Sequence, residues 1–81
     1  MHELGIAQDI LKVALTEAEK HNGRRISTLH VKLGEASHIE PASLELCLEA
    51  MARGTIAEGA RIEIEPVEAS REITLDSLEL D

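Results

Sequence analysis

Arg25-Ile26-Ser27-Thr28-Leu29-His30-Val31-Lys32-Leu33 decides how the rest of the chain must be arranged. Leu29, Val31 and Leu33 fall on one side of an extended backbone, and Thr28, His30 and Lys32 fall on the other. The segment reads as a strand with one face to hide. Ile26 is out of phase with that apolar set, which implies a nearby bulge or partial cover on both faces. Cover has to come from the flanking sequence.

On the N-terminal side, Leu4, Ala7, Ile10, Leu11, Ala14, Leu15 and Ala18 recur at helical spacing, with Gln8, Asp9, Lys12, Glu17 and Glu19 opposite them. A long amphipathic helix therefore begins almost at the first residue. It ends at His21-Asn22-Gly23, where Asn or Gly can adopt the left-handed conformation that closes a helix. On the C-terminal side, Gly34-Glu35-Ala36-Ser37-His38-Ile39 reads as a loop. Pro41 suits the first turn of a second helix, and Glu40 suits its positive end. Leu44, Cys47, Leu48 and Met51 form the expected buried stripe, and Gly54 ends the helix. After Gly59, Ile62 and Ile64 alternate with Arg61, Glu63 and Glu65 as a strand, and Pro66 marks its end or an unpaired edge. A last strand starts at Ile73 and Leu75. Leu78 and Leu80 have the opposite parity, so a bulge is expected near Asp76-Ser77.

The order is helix, strand, helix, strand, strand. The predicted fold class is α+β, two helices packed on one face of a mixed three-stranded sheet. The strand–helix–strand crossover should be parallel and right-handed. The short last connection, residues 67–71, suggests an antiparallel hairpin between the final two strands. One domain spans residues 1–81.

Composition narrows the function. The 81 residues carry a net charge of -8 and contain no Phe, Tyr or Trp. Such a chain offers neither phosphate neutralisation nor base stacking, so a nucleic-acid partner is not expected. No apolar run approaches the roughly 20 residues of a membrane span. The N-terminus lacks the pattern of a secretory signal. A single cysteine, Cys47, cannot form an internal disulfide, which suits a reducing cytoplasm. The charge is uneven: residues 35–81 hold twelve acidic and three basic groups. That half is either a solvated acidic face or a surface for a basic partner.

Catalytic patterns are missing. The glycines form no phosphate-binding loop, the serines have no nucleophile-elbow context, and Glu63 and Glu65 have solvent-face spacing. The chain is expected not to be an enzyme. Cys47 reads as an inert buried thiol, and His21 and His30 as structural residues. Met1-His2-Glu3 is different. Histidine second in a chain can offer the α-amine, the deprotonated His2 amide and the His2 imidazole Nδ1 in adjacent five- and six-membered chelate rings. Ni(II) or Cu(II), which favour planar nitrogen fields, support such amide deprotonation. The Glu3 amide can replace the amine or join as a fourth nitrogen. His38, in a loop beside Glu40, is a weaker candidate for an auxiliary ligand.

Met1-His2-Glu3-Leu4, Gly34-Glu35-Ala36-Ser37, Glu40-Pro41 and Gly54-Thr55-Ile56-Ala57-Glu58-Gly59-Ala60 together resemble the HypA/HybF family of nickel metallochaperones. The closing Ile73-Thr74-Leu75-Asp76-Ser77-Leu78-Glu79-Leu80 is similar to that family's last strand. The resemblance implies Ni(II) held by Met1, His2 and Glu3 and delivered for [NiFe]-hydrogenase, and in some members urease, maturation. It implies as partners a HypB-type GTPase and the hydrogenase large-subunit precursor. The family also carries a zinc domain with two Cys-x-x-Cys pairs between the last two strands. Here that region is reduced to about residues 67–71, by engineering or by natural loss, and zinc bound in the family manner is not expected. A strained final turn could let the last strand pair with another copy, so monomer and strand-swapped homodimer both stay open. The competing reading is a metal-free interaction module that uses its acidic face, with association that is salt-sensitive and survives loss of His2.

Overall fold

A computed structural model describes residues 3–81. Helix α1 (Glu3–Lys20) leads into strand β1 (Ile26–Gly34), a short 3-10 turn (Glu35–Ser37) and helix α2 (Pro41–Ala52), followed by strands β2 (Arg61–Val67) and β3 (Ile73–Leu80). The α+β class and the element order are those expected.

Local chemistry sets the boundaries. Asn22 takes φ 55° after α1, and Gly54 takes φ 78° after α2, the two left-handed stops anticipated from the residue types. Pro41 occupies the first turn of α2. Its missing N–H has no partner to lose there. The stretch after Gly54 is built from hydrogen bonds. The Thr55 hydroxyl donates to the Ala52 carbonyl at 2.7 Å and accepts from Ala57 N–H at 3.0 Å, while Gly54 N–H donates to Glu58 Oε1 at 2.7 Å. Ile26 N–H then donates to the Ile56 carbonyl at 2.9 Å, so this turn also anchors the start of β1.

Sheet order is β2-β1-β3, with β1 parallel to β2 and antiparallel to β3. The parallel crossover was expected; the terminal hairpin was not found. β3 lies on the far side of β1 from β2, so the final connection is a strap over the end of the central strand. Crossing one strand means spanning about 10 Å, and five extended residues reach roughly 16 Å, so the short link suffices. The reason it fits lies in Gly34. A Cβ there would lie 2.3 Å from the Ser70 carbonyl oxygen and 2.8 Å from that of Glu72. Gly34 N–H donates to the Glu72 carbonyl and Ala36 N–H to the Ser70 carbonyl, each at 2.8 Å. Ala69, within the strap, turns with φ 59°.

The irregularity anticipated near Asp76-Ser77 is present, and of the two readings open at Ile26 the bulge is the one found. The β1–β3 register shifts between Ile26 and Thr28 and again opposite Asp76, between His30 and Val31. Each shift returns the flanking apolar residues to the helix side. With no aromatic residue available, the core is aliphatic. Ala7, Ile10, Val31, Leu33, Ile39, Leu44 and Leu48 form one cluster. Leu11, Ala14, Ala18, Ile26, Leu29, Ala52 and Ala57 form another. Ala7, Ala14 and Ala18 are fully buried, and such small side chains let α1 approach its neighbours closely. Three positions depart from expectation. Leu4 is exposed rather than buried, and Cys47 and Met51 are half-buried at the margin of the core. Cys47 remains a free thiol.

Candidate metal centre

α1 starts at Glu3, the third residue of the candidate tripeptide, at the N-terminal end of the longest helix. Met1 and His2 lie outside the described residues. Glu3 is half-buried in the first turn, where a helix leaves four backbone N–H groups without intrahelical acceptors. The Glu3 amide is one of those four. Using it as a metal ligand therefore breaks no helical hydrogen bond.

The topology brings a second element to the same end. α1 and β1 run in opposite directions, which places the start of α1 beside the end of β1 and the turn that follows it. A shallow groove is lined by Ile6, Asp9 and Ile10 of α1 together with Arg71 and Ile73. Arg71 also lines a cleft with Ala36, Ser37 and His38. His38 is exposed and left-handed, with φ 61°, at the C-terminal end of the 3-10 turn. The Ser37 hydroxyl fixes that turn, donating to the Gly34 carbonyl at 2.6 Å and accepting from Ile39 N–H at 3.3 Å. His38 thus belongs to the same end of the molecule as Glu3, and its imidazole is free of protein hydrogen bonds among the described residues. Among those residues, no group of three or more His, Cys, Asp or Glu side chains could hold a metal ion.

His30 has a role that sequence reasoning did not resolve. It stands mid-strand on the sheet face away from the helices, with Nε2 2.7 Å from Glu79 Oε2 and Nδ1 3.3 Å from Glu63 Oε1. Glu63 is held in turn by Arg61 Nε at 2.9 Å. Beside this row, Lys32 Nζ lies 3.6 Å from Asp76 Oδ1. These contacts tie all three strands together on a wet face, where each is worth little by itself. Finding them required the strand register, which individual residues do not carry.

Two solved structures share this fold. The solution structure of the nickel metallochaperone HypA from Helicobacter pylori superposes with a TM-score of 0.75 at 15% identity, covering 95% of this chain and 72% of that one. A second HypA solution structure gives a TM-score of 0.72 at 17% identity, covering the whole of this chain and 73% of the other. The architecture is therefore the α+β fold of these two structures. Sequence carries the assignment further. A family model described as hydrogenase/urease nickel incorporation metallochaperone, HypA, matches residues 1–73. The hydrogenase maturation factor HypA of Methanopyrus kandleri is 42% identical over 65 residues, 80% of this chain and 46% of that protein. Those of Geobacter sulfurreducens and Escherichia coli are 42% and 35% identical over 67 and 69 residues, covering 83% and 85% of this chain and 58% and 60% of theirs. The chain belongs to the HypA family. It matches about half to three-fifths of the length of these curated relatives. The family is one of metallochaperones rather than catalysts, in keeping with the absence of catalytic patterns in the sequence.

Proposed function

We propose that residues 1–81 form a nickel-carrying unit that holds Ni(II) through Met1, His2 and Glu3 and passes it on during hydrogenase or urease maturation. The observation that carries this reading is the family match beginning at residue 1, with α1 starting at Glu3. The His2 imidazole and the His2 and Glu3 amides supply nitrogens for a planar field, and the α-amine of Met1 is a further donor. An amide that loses its proton becomes an anion. The positive end of the helix dipole favours that anion, which offsets its repulsion of the metal cation. His38, at the same end of the fold, can close the coordination sphere or receive the ion during transfer. Transfer then proceeds by ligand exchange, without covalent catalysis. The ion is cargo, so a site at a chain end that other ligands can approach suits release as well as capture.

The partners that fit are a HypB-type GTPase and a hydrogenase large-subunit precursor, and the compartment is the cytoplasm. No helix among the described residues is long and apolar enough to cross a membrane. A four-thiolate zinc site is not part of this unit, because such a site needs four cysteines and the 81 residues hold only Cys47.

Calorimetric nickel titration of the tag-free chain, beside His2→Ala, tests the reading. One binding event is expected, with a visible band typical of planar nickel, and it is lost in His2→Ala. Adding residues before Met1 should weaken binding by blocking the amine. Metal analysis of the loaded protein should find nickel without zinc. Binding unchanged by His2→Ala removes the tripeptide from the mechanism. Salt-sensitive capture of a basic partner that persists in that variant then favours the metal-free acidic module, for which the twelve acidic groups of residues 35–81 are the supporting observation.

A further inference from the structure

We infer that β3 is a self-pairing edge, at which two copies of this chain join antiparallel into one six-stranded sheet. β3 is one of the two free edges of the sheet. Natural edges are commonly blunted by proline or by lysine. The other edge, β2, contains Pro66, whereas the eight residues of β3 include neither proline nor lysine. The Glu72 carbonyl accepts from Gly34 N–H at 2.8 Å. Antiparallel ladders alternate inward and outward groups, so Thr74 turns its amide toward β1 while Ile73 and Leu75 turn theirs to the open side.

The strand's pattern selects the occupant. Ile73-Thr74-Leu75-Asp76-Ser77-Leu78-Glu79-Leu80 has the same apolar–polar order from either end, about a point between Asp76 and Ser77. Paired with itself about that point, it sets Ile73 opposite Leu80 and Leu75 opposite Leu78 on the helix side. Thr74 meets Glu79 and Asp76 meets Ser77, so no two carboxylates are directly opposed. The bulge at Asp76 meets its own copy at the two-fold axis. Such a surface is self-complementary, as an isologous dimer requires. Above the strand, Val13, Glu17 and His21 of α1 overhang a groove of about 470 Å³ that Leu75, Leu78 and Leu80 also line. Val13, an apolar side chain that is 52% exposed, lies in that groove and would be covered by the second copy. One strand pair and one groove make a small interface, so the dimer is weak and reversible.

Sedimentation equilibrium from about 10 µM to 1 mM protein, at low and high salt, tests the pairing. A monomer–dimer equilibrium is expected. It should tighten with salt, since each copy carries a charge of -8 and screening relieves their repulsion. Val13→Glu should weaken the dimer about tenfold or more with unchanged circular dichroism, because it places a charge in the covered groove. The Ile73 and Leu75 amides should exchange more slowly as protein concentration rises. Thr74→Cys and Glu79→Cys chains, each with Cys47→Ala, should cross-link when mixed and neither should cross-link alone. A monomer at every concentration overturns the inference. So does a dimer whose Ile73 and Leu75 amides exchange at concentration-independent rates, the signature of a strand-swapped or differently placed contact.

Discussion

Gly34 is where one residue decides the topology. The strap crosses the end of β1 against its backbone, and the Ser70 carbonyl occupies the space a side chain would need. Gly34→Ala cannot be relieved by a rotamer change, because the obstacle is main chain. The substitution is expected to cost about 2–3 kcal/mol, read as a lower urea midpoint with an unchanged slope. The glycine was visible in the sequence only as the start of a loop. Its backbone φ of -65° is one that any residue adopts, so the requirement is for space and not for conformational freedom. Close approach by a segment some 36 residues later leaves no local mark. His2 is the converse case: the chelation proposed for it rests on its position in the chain, and no tertiary contact is needed to make the argument.

Among the elements, α2 separates what periodicity can and cannot resolve. Leu44 and Leu48 are fully buried, while Leu46 is 66% exposed. Leu48→Ala should cost about 2–5 kcal/mol and Leu46→Ala no more than about 0.5 kcal/mol, measured side by side by chemical denaturation. The helical spacing identified both buried leucines, but it also put Cys47 and Met51 in the stripe, where they prove half-buried. A stripe fixes direction; the depth depends on what lies opposite. The bulge at Asp76 was legible because a parity change in Ile73, Leu75, Leu78 and Leu80 has only one cheap explanation in a strand with a buried face. The partner of β3 was not legible. Strands joined by a short link are usually hairpin neighbours, and here the preference is overridden because β1 offers both its edges and its apolar face lies between those of β2 and β3.

For the whole molecule, nickel should act as a stabiliser. An ion that binds only the folded N-terminus raises the unfolding free energy by about 2.7 kcal/mol at a hundredfold excess over its dissociation constant. Where the site is formed wholly by the first three residues and binds equally well when the chain is unfolded, no such gain follows. The size of the thermal shift with nickel therefore measures how far α1 and the His38 turn contribute. A shift seen in the parent and missing in both His2→Ala and His38→Ala supports a site closed by the fold. A shift that disappears only in His2→Ala leaves His38 out of a site that still needs the folded helix start, and the absence of any shift in a parent that binds nickel confines the metal to the tripeptide.

The sequence by itself determined the five regular elements, their order, the α+β class, the helix stops at His21-Asn22-Gly23 and Gly54, the bulge near Asp76-Ser77 and the family resemblance. All of these rest on spacing, residue type and local backbone preference, which act over a few residues. Tertiary structure alone decided that β1 is central, that residues 68–72 pass over Gly34, that His30 sits between Glu63 and Glu79, and that His38 shares an end of the molecule with Glu3. Each of those depends on which segments meet across long stretches of chain. Pairing of that kind is fixed by burying the aliphatic faces of all five elements together, a condition that no short window of sequence contains.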